Sequence, residues 1–407
     1  MIAIGIDWGT YAHTVKFSTG PGSDEPAIKI KNTYEGFLHL LDVSRRRTVG
    51  LKSEEIVFAI ESQNKRIVDF LLAHGFVGYC VDPNRMQAFR LRYKSSRVKD
   101  DDFDAFVIAD ILWRDRDQLV RIVPEDESVL RLKGLLNDRD AFMNDLVSLT
   151  NRLTAALREY YPAVLEMFAD PTGKTALAFM EVYPDFDSTR ALMQDDMKKL
   201  MVKHHSFSKK RLLKILRILG QPQIAVPPVI VELKRKAIRH LIKQLREVQA
   251  AIAAYDADIQ AAMPNIPEIE LFQTLPAAGP IISSSLYALL GPDRMRFKDA
   301  DEVQSYLGIV PRTIQSGQSR QVTFRYACRQ DYRDILTCWA FCTLRVCPWA
   351  KKYYNKKRAE GKKHYHALRC LASILLKIAF TMWQERTRYC EDHYLAQRAR
   401  HRMNNEQ

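Results

Sequence analysis

The apolar pattern of this chain changes period once, near Pro124, and no single layer of secondary structure can satisfy both halves. Before that point IAIGID (2 to 7), HTVKFST (13 to 19) and AIKIKNT (27 to 33) alternate with period two or are short and β-rich. A helical GFLHLLDVSRRR follows, then EIVFAIE (55 to 61), a helical KRIVDFLLAHG whose Gly75 suits a C-terminal stop, and a further strand, FVGYCVD. Strands in a run, then strands alternating with helices, predict an α/β domain with a mixed sheet flanked by helices.

After Pro124 the spacing is three or four: Leu135, Phe142, Leu146, Leu149 and Leu153 lead to YYP at 160 to 162. The less regular 163 to 228, punctuated at Pro184 and Pro222 to Pro228, reads as a helical insertion. Next, Ile238, Leu241, Leu245, Val248, Ile252, Tyr255 and Ile259 step by alternating threes and fours, a heptad seam that predicts a coiled-coil partner from the same chain or another subunit. Pro264 and Pro267 mark a boundary, after which LFQTLPAAGPIISSSLYALLG predicts helix, tight turn, helix. The expected domains are 1–160 (α/β), 161–262 (helical insertion and coiled coil), 263–385 (mainly helical) and a basic tail, 386–407.

Lys and Arg exceed Asp and Glu by 14 among 407 residues, which points to a polyanionic partner, nucleic acid or an acidic membrane surface. Between Lys351 and Cys370 stand Lys351, Lys352, Lys356, Lys357, Arg358, Lys362, Lys363 and Arg369 against Glu360 alone, with Tyr353, Tyr354 and Tyr365 interleaved. That sign bias favours nucleic-acid contact. The apolar run at 367 to 383 is broken by Arg369 and Lys377 and predicts a buried helix rather than a membrane span. No charged and apolar leader opens the chain, and seven cysteines without CxxC spacing fit a reducing compartment, so a cytoplasmic address is expected. Cys338 and Cys342, amid Trp339, Phe341 and Leu344, read as buried thiols.

Within this basic chain VKDDDFDAFVIAD (98 to 110) concentrates acid. On a helix Asp104 shares a face with Asp100 and Asp101, while Asp102 points away. Asp7 and Glu61 close two predicted strands, where carboxylates project from a sheet edge. Oxygens converging from these elements suit Mg²⁺, with Mn²⁺ as the alternative, clamping a phosphodiester. The opening GIDWGTY also resembles the phosphate turn of sugar kinases and actin-like ATPases, but no second such turn or Gly-rich adenosine segment follows.

These residues resemble the DEDD transposases of the insertion sequence 110 family. The resemblance rests on GID (5 to 7), AIES (59 to 62), VKDDDFDA (98 to 105), and NRLTAALREYYP (151 to 162). In the second half it rests on LPAAGP (275 to 280), FKDADEVQSYLGIVPRTIQSG (297 to 317) and WAKKYYNKKRAEGKKHYHAL. It implies an N-terminal RuvC-like (RNase H-like) fold and a C-terminal serine transposase domain. It further implies Asp7, Glu61, Asp101 and Asp104 as metal ligands, the family spacing choosing Asp101 over Asp100, and Ser316 as a nucleophile that holds a DNA strand covalently. Donor and target DNA, a structured bridge RNA and a homo-oligomeric assembly, dimer or tetramer, are the implied partners, in a prokaryotic cytoplasm. The alternative is a hydrolytic RuvC-like nuclease or Holliday junction resolvase in which water replaces Ser316. Ala277, where the family carries Gly, and CRQDYRD (328 to 334), where it carries Lys-x-Gly, depart from the pattern.

Overall fold

The computed structural model describes residues 2–23, 25–51, 55–61, 65–93, 100–316, 319–326 and 328–396. They form two compact units, divided between Glu125 and Asp126.

In the first unit β1 (Ile2–Asp7), β2 (Ala12–Ser18) and β3 (Ile28–Lys31) precede α1 (Tyr34–Arg47) and β4 (Ile56–Ile60). Then come α2 (Arg66–Ala73), β5 (Val77–Cys80), α3 (Pro83–Tyr93), α4 (Asp101–Asp115) and β6 (Val120–Ile122). The six strands form one mixed sheet in the order β3-β2-β1-β4-β5-β6, with β1, β4 and β5 parallel and the others antiparallel to their neighbours. Period two sorts its residues onto two faces. Ile4, Ile6, Phe58 and Ile60 pack on Phe37, Leu40, Ile67 and Leu71 of α1 and α2. Ala3, Val57 and Ala59 pack on Val107, Ile108, Ile111 and Leu112 of α4. The expected mixed sheet is therefore present, extended by β6, a three-residue edge strand with two exposed residues and no pattern to announce it.

The second unit is helical apart from one hairpin. It contains α5 (Glu127–Tyr160), α6 (Ala163–Met167), α7 (Lys174–Val182), α8 (Gln194–Lys203), α9 (Lys209–Leu219) and α10 (Pro228–Ala262). Then follow α11 (Pro267–Gln273), α12 (Pro280–Leu290), α13 (Ala300–Tyr306), the hairpin β7 (Arg312–Ser316) and β8 (Ser319–Thr323), α14 (Gln330–Thr343), α15 (Pro348–Ala359) and α16 (His364–Glu385). The heptad seam of α10 faces α5 of the same chain. The two helices run antiparallel, since Ile238, Leu241 and Leu245 share a core with Leu149, Leu153 and Leu157, whereas Arg139 donates to Asp256 at 2.5 Å nearer the other end. Between those ends Tyr255 packs against Phe142, the rings tilted by 37° with centroids 5.6 Å apart. The insertion helices α6 to α9 complete that core with Met167, Phe179, Met197, Met201, Leu212 and Ile215.

A second core joins the ends of α5 and α10 to α11–α16. At its centre α16, although long and apolar enough by itself to cross a membrane, buries Leu371, Leu375, Ala379 and Trp383. Cys338 and Cys342 depart from expectation: both are exposed, because α14 turns Leu336, Trp339, Ala340 and Thr343 inward and the two thiols share the opposite side.

Candidate active site

Strand register and one glycine place the acid-bearing segments at the same end of the sheet. Ile6 lies opposite Ile60 in the parallel β1–β4 pair, so Asp7, the last residue of β1, and Glu61, the first residue after β4, follow from neighbouring strand ends. By alternation both follow Gly5 and Ala59 on the α4 face. There α4 approaches so closely that a Cβ on Gly5 would stand 2.1 Å from the Ala105 carbonyl oxygen and 2.6 Å from the Ala109 nitrogen. Trp113 Nε1, near the far end of α4, donates to Ser18 O at 3.0 Å, and Ser18 pairs with Ala3 at the start of β1. Thus α4 runs opposite to β1 and its first turn, with Asp101 and Asp104, lies toward Asp7. Gly5→Ala is expected to lower stability by about 1–3 kcal/mol, since neither neighbouring contact is a movable side-chain tip. Thermal denaturation measures this, and an unchanged melting temperature would show that α4 can retreat freely.

The first turn of α4 separates its aspartates by role. Asp100 is the N-cap, its side chain accepting from Asp102 N at 3.2 Å. Asp101 is exposed, Asp102 half-buried, and Asp104 is 1% exposed. Asp104 is held by a residue that no sequence pattern singles out: Arg90 of α3 donates to both its oxygens, Nε to Oδ1 and Nη2 to Oδ2, each at 2.6 Å. The same guanidinium lies 4.0 Å from Glu61 Oε1. Such a fork fits a carboxylate closely and supplies the positive charge that neighbouring carboxylates require. Among the described residues no three His, Cys, Asp or Glu side chains are gathered to hold a metal ion. Glu61 and Asp104, the two acids that approach the Arg90 guanidinium, offer hard carboxylate oxygens, the donor type that divalent cations take.

One turn and a half further along stands a second buried acid that the sequence reading does not identify. Asp110 is 1% exposed and accepts from Gly22 N at 2.8 Å, Tyr93 Oη at 2.5 Å and Arg114 Nε at 2.7 Å. Burial alone would push its carboxyl up, but the Arg114, Tyr93 and Gly22 donors together hold it below the ordinary value. Burial, and then Asp110, push the Tyr93 phenol up. The signal is present in the sequence, because a lone acid inside AFVIADILW must be paired if that helix is buried.

In the second unit Ser316 is the last residue of β7, opposite Ser319 of β8; its side chain and residues 317 and 318 lie outside the described residues. The LPAAGP turn has the expected helix-turn-helix form, α11 to α12, and Ala277 adopts a left-handed φ of 57°, the conformation that explains Gly in the family pattern. Trp339 Nε1 clamps the turn by donating to Pro276 O at 2.9 Å. The basic segment comprises α15, a turn at Gly361, and the start of α16. Lys351, Lys352, Lys356, Arg358 and Lys363 are exposed, Lys362 is half-buried, and Lys357 pairs with Glu360 at 2.7 Å. Tyr353 and Tyr354 lean on the core, leaving Tyr365 as the exposed ring.

Residues 4–162 match a family model described as Transposase, of the DEDD IS110 type, and residues 269–355 match one described as Transposase IS116/IS110/IS902 family. The chain belongs to the IS110 family of transposases. Two relatives span nearly its whole length. A Streptomyces coelicolor mini-circle protein, named as a transposase for IS117, is 27% identical over 385 residues, 91% of each chain. An insertion element IS116 protein of Streptomyces clavuligerus, 44.8 kDa and uncharacterized by name, is 26% identical over 401 residues, 95% of each. Both acid-bearing strand ends and α4 lie inside the first matched segment of this IS110-family chain, and β7 with Ser316 inside the second. Membership makes the chain a DNA-processing enzyme.

Proposed function

We propose that this IS110-family transposase cuts and rejoins DNA through a covalent phosphoserine at Ser316, with Asp7, Glu61, Asp101 and Asp104 as a RuvC-like DEDD site. The observation that carries the reading is the convergence of Glu61 and Asp104 on one cationic group, Arg90, beside the strand end that bears Asp7. Mg²⁺, or Mn²⁺, held by these acids would neutralise charge on the transferring phosphoryl oxygens. The serine oxygen forms a bond to phosphorus as the bond from phosphorus to a deoxyribose oxygen breaks; its proton leaves to a base, and the departing oxygen takes up a proton. The phosphodiester energy is retained in the serine ester, so rejoining needs no external energy source. A bridge RNA pairing with donor and target DNA supplies sequence choice in this reading, and the homo-oligomer supplies the copies that act together. The domain limits proposed remain 1–160, 161–262, 263–385 and 386–407, with the exposed Lys351, Lys352, Lys356, Arg358 and Lys363 on DNA or RNA.

The test is trapping. Incubated with cognate DNA, guide RNA and Mg²⁺, the protein is expected to yield a denaturation-resistant protein–DNA adduct that Ser316→Ala loses entirely while DNA binding persists. An adduct retained by Ser316→Ala, or strand transfer at the wild-type rate, sinks the serine mechanism. Cleavage without any adduct selects the hydrolytic nuclease.

A further inference from the structure

The charge of this chain is not spread along it. Residues 198–246 contain fourteen Lys and Arg against one acid, Glu232, in a chain whose net charge is +14. This segment, from the middle of α8, past its acidic first turn with Asp195 and Asp196, through the first half of α10, lies outside both matched transposase segments. Three of its cations are paired internally: Lys234 with Glu159, Arg235 with Asp185, and Arg246 with Glu181 at 2.6 Å. Among the described residues none of the other eleven forms an ion pair.

Folding arranges these remaining charges in rows. In α9, Leu212, Ile215 and Ile218 are buried, which leaves Lys210, Lys214 and Arg217 exposed on the opposite face. In α10, Ile238, Leu241, Ile242 and Leu245 are buried, and Lys236, Arg239 and Lys243 form the exposed row. In α8, Met197 and Met201 are buried while Lys198, Lys199 and Lys203 are exposed. All three helices are anchored in one core with α5, α6 and α7, so the rows are fixed by packing.

A free basic amphipathic helix could enter a membrane surface, but that requires its apolar face, and here that face is consumed by the core. Single-stranded nucleic acid is gripped by successive aromatic platforms between cations, whereas the helical rows carry no Phe, Tyr or Trp and Phe207, exposed between α8 and α9, is a single ring with Lys198 over it at 5.9 Å. What they offer is an array of point charges on rigid helices, which matches a duplex carrying one phosphate charge per about 1.7 Å of axis. We infer that α8, α9 and the first half of α10 form a sequence-independent docking surface for the backbone of double-stranded DNA. The inference takes from the family only that the substrate is DNA; it uses neither the acids nor Ser316.

The experiment measures binding of the full chain to a DNA duplex of arbitrary sequence across a salt series, without divalent metal. Lys210→Gln/Lys214→Gln/Arg217→Gln is expected to weaken binding and to flatten the slope of log affinity against log salt by about 0.9 for each phosphate that the variant no longer neutralises. An unchanged slope in a variant that melts like wild type overturns the inference. So does a loss confined to an RNA hairpin. Should the α9 variant fail to fold, Lys236→Gln/Arg239→Gln/Lys243→Gln decides by the same slope. Because metal is absent, failure of the acidic-site reading leaves this outcome untouched.

Discussion

Asp104→Asn is expected to cut strand transfer on the order of 10³-fold while leaving duplex binding within about twofold, the pattern of a group acting on the reacting centre rather than on substrate affinity. Asn keeps the volume of a residue that is 1% exposed, so the change is mainly one of charge and hydrogen bonding. Arg90, which donates to both Asp104 oxygens, retains Glu61 at 4.0 Å and keeps a partner. Neighbours in sequence supply the control. Asp100 serves as the cap of α4, and Asn caps a helix about as well as Asp, so Asp100→Asn is expected to remain near wild type. Asp101→Asn belongs with Asp104→Asn under the proposed reading. Strand-transfer rates and duplex affinities of the three variants, measured side by side, check this. Full activity in Asp104→Asn would remove the acid site from the mechanism.

The strand ends, the period change at Pro124 and the two long helices are legible because each is written in local spacing. Asp7 and Glu61 can be placed from strand pattern, and Asp100 as a cap from its position before an apolar helix. Legibility ends where a residue's meaning depends on a distant partner. Gly5 looks like a strand glycine until α4 lies against it. Arg90, in a polar helix, looks solvated until it meets Asp104, which stands on another element. The tyrosines of the basic segment look like stacking platforms between cations, but Tyr353 and Tyr354 serve the core. The heptad of α10 implies a partner without saying which, and the α5 helix of the same chain fills that place.

Asp110→Asn is expected to destabilise the N-terminal unit by about 3 kcal/mol, comparable to breaking a buried hydrogen-bonded charge. Asp110 accepts three hydrogen bonds, from Gly22, Tyr93 and Arg114, and an amide offers one oxygen where the carboxylate offers two. Its amino group would confront donors. Gly22 belongs to the β2–β3 connection and Tyr93 to α3, so losing this centre loosens both against α4. The sign of the pH dependence follows from the depressed carboxyl of Asp110. As pH falls, the unfolded chain takes up the proton first, near the ordinary carboxylate value of about 4, while the folded state resists until lower pH. The contribution is therefore full above pH of about 4 and is lost as pH falls through the folded value. Denaturant unfolding of wild type and Asp110→Asn should give a stability difference that is constant near neutrality and narrows in acid. A difference that instead widened on acidification would mean that the carboxyl is protonated in the native unit and that Arg114 is not its principal partner.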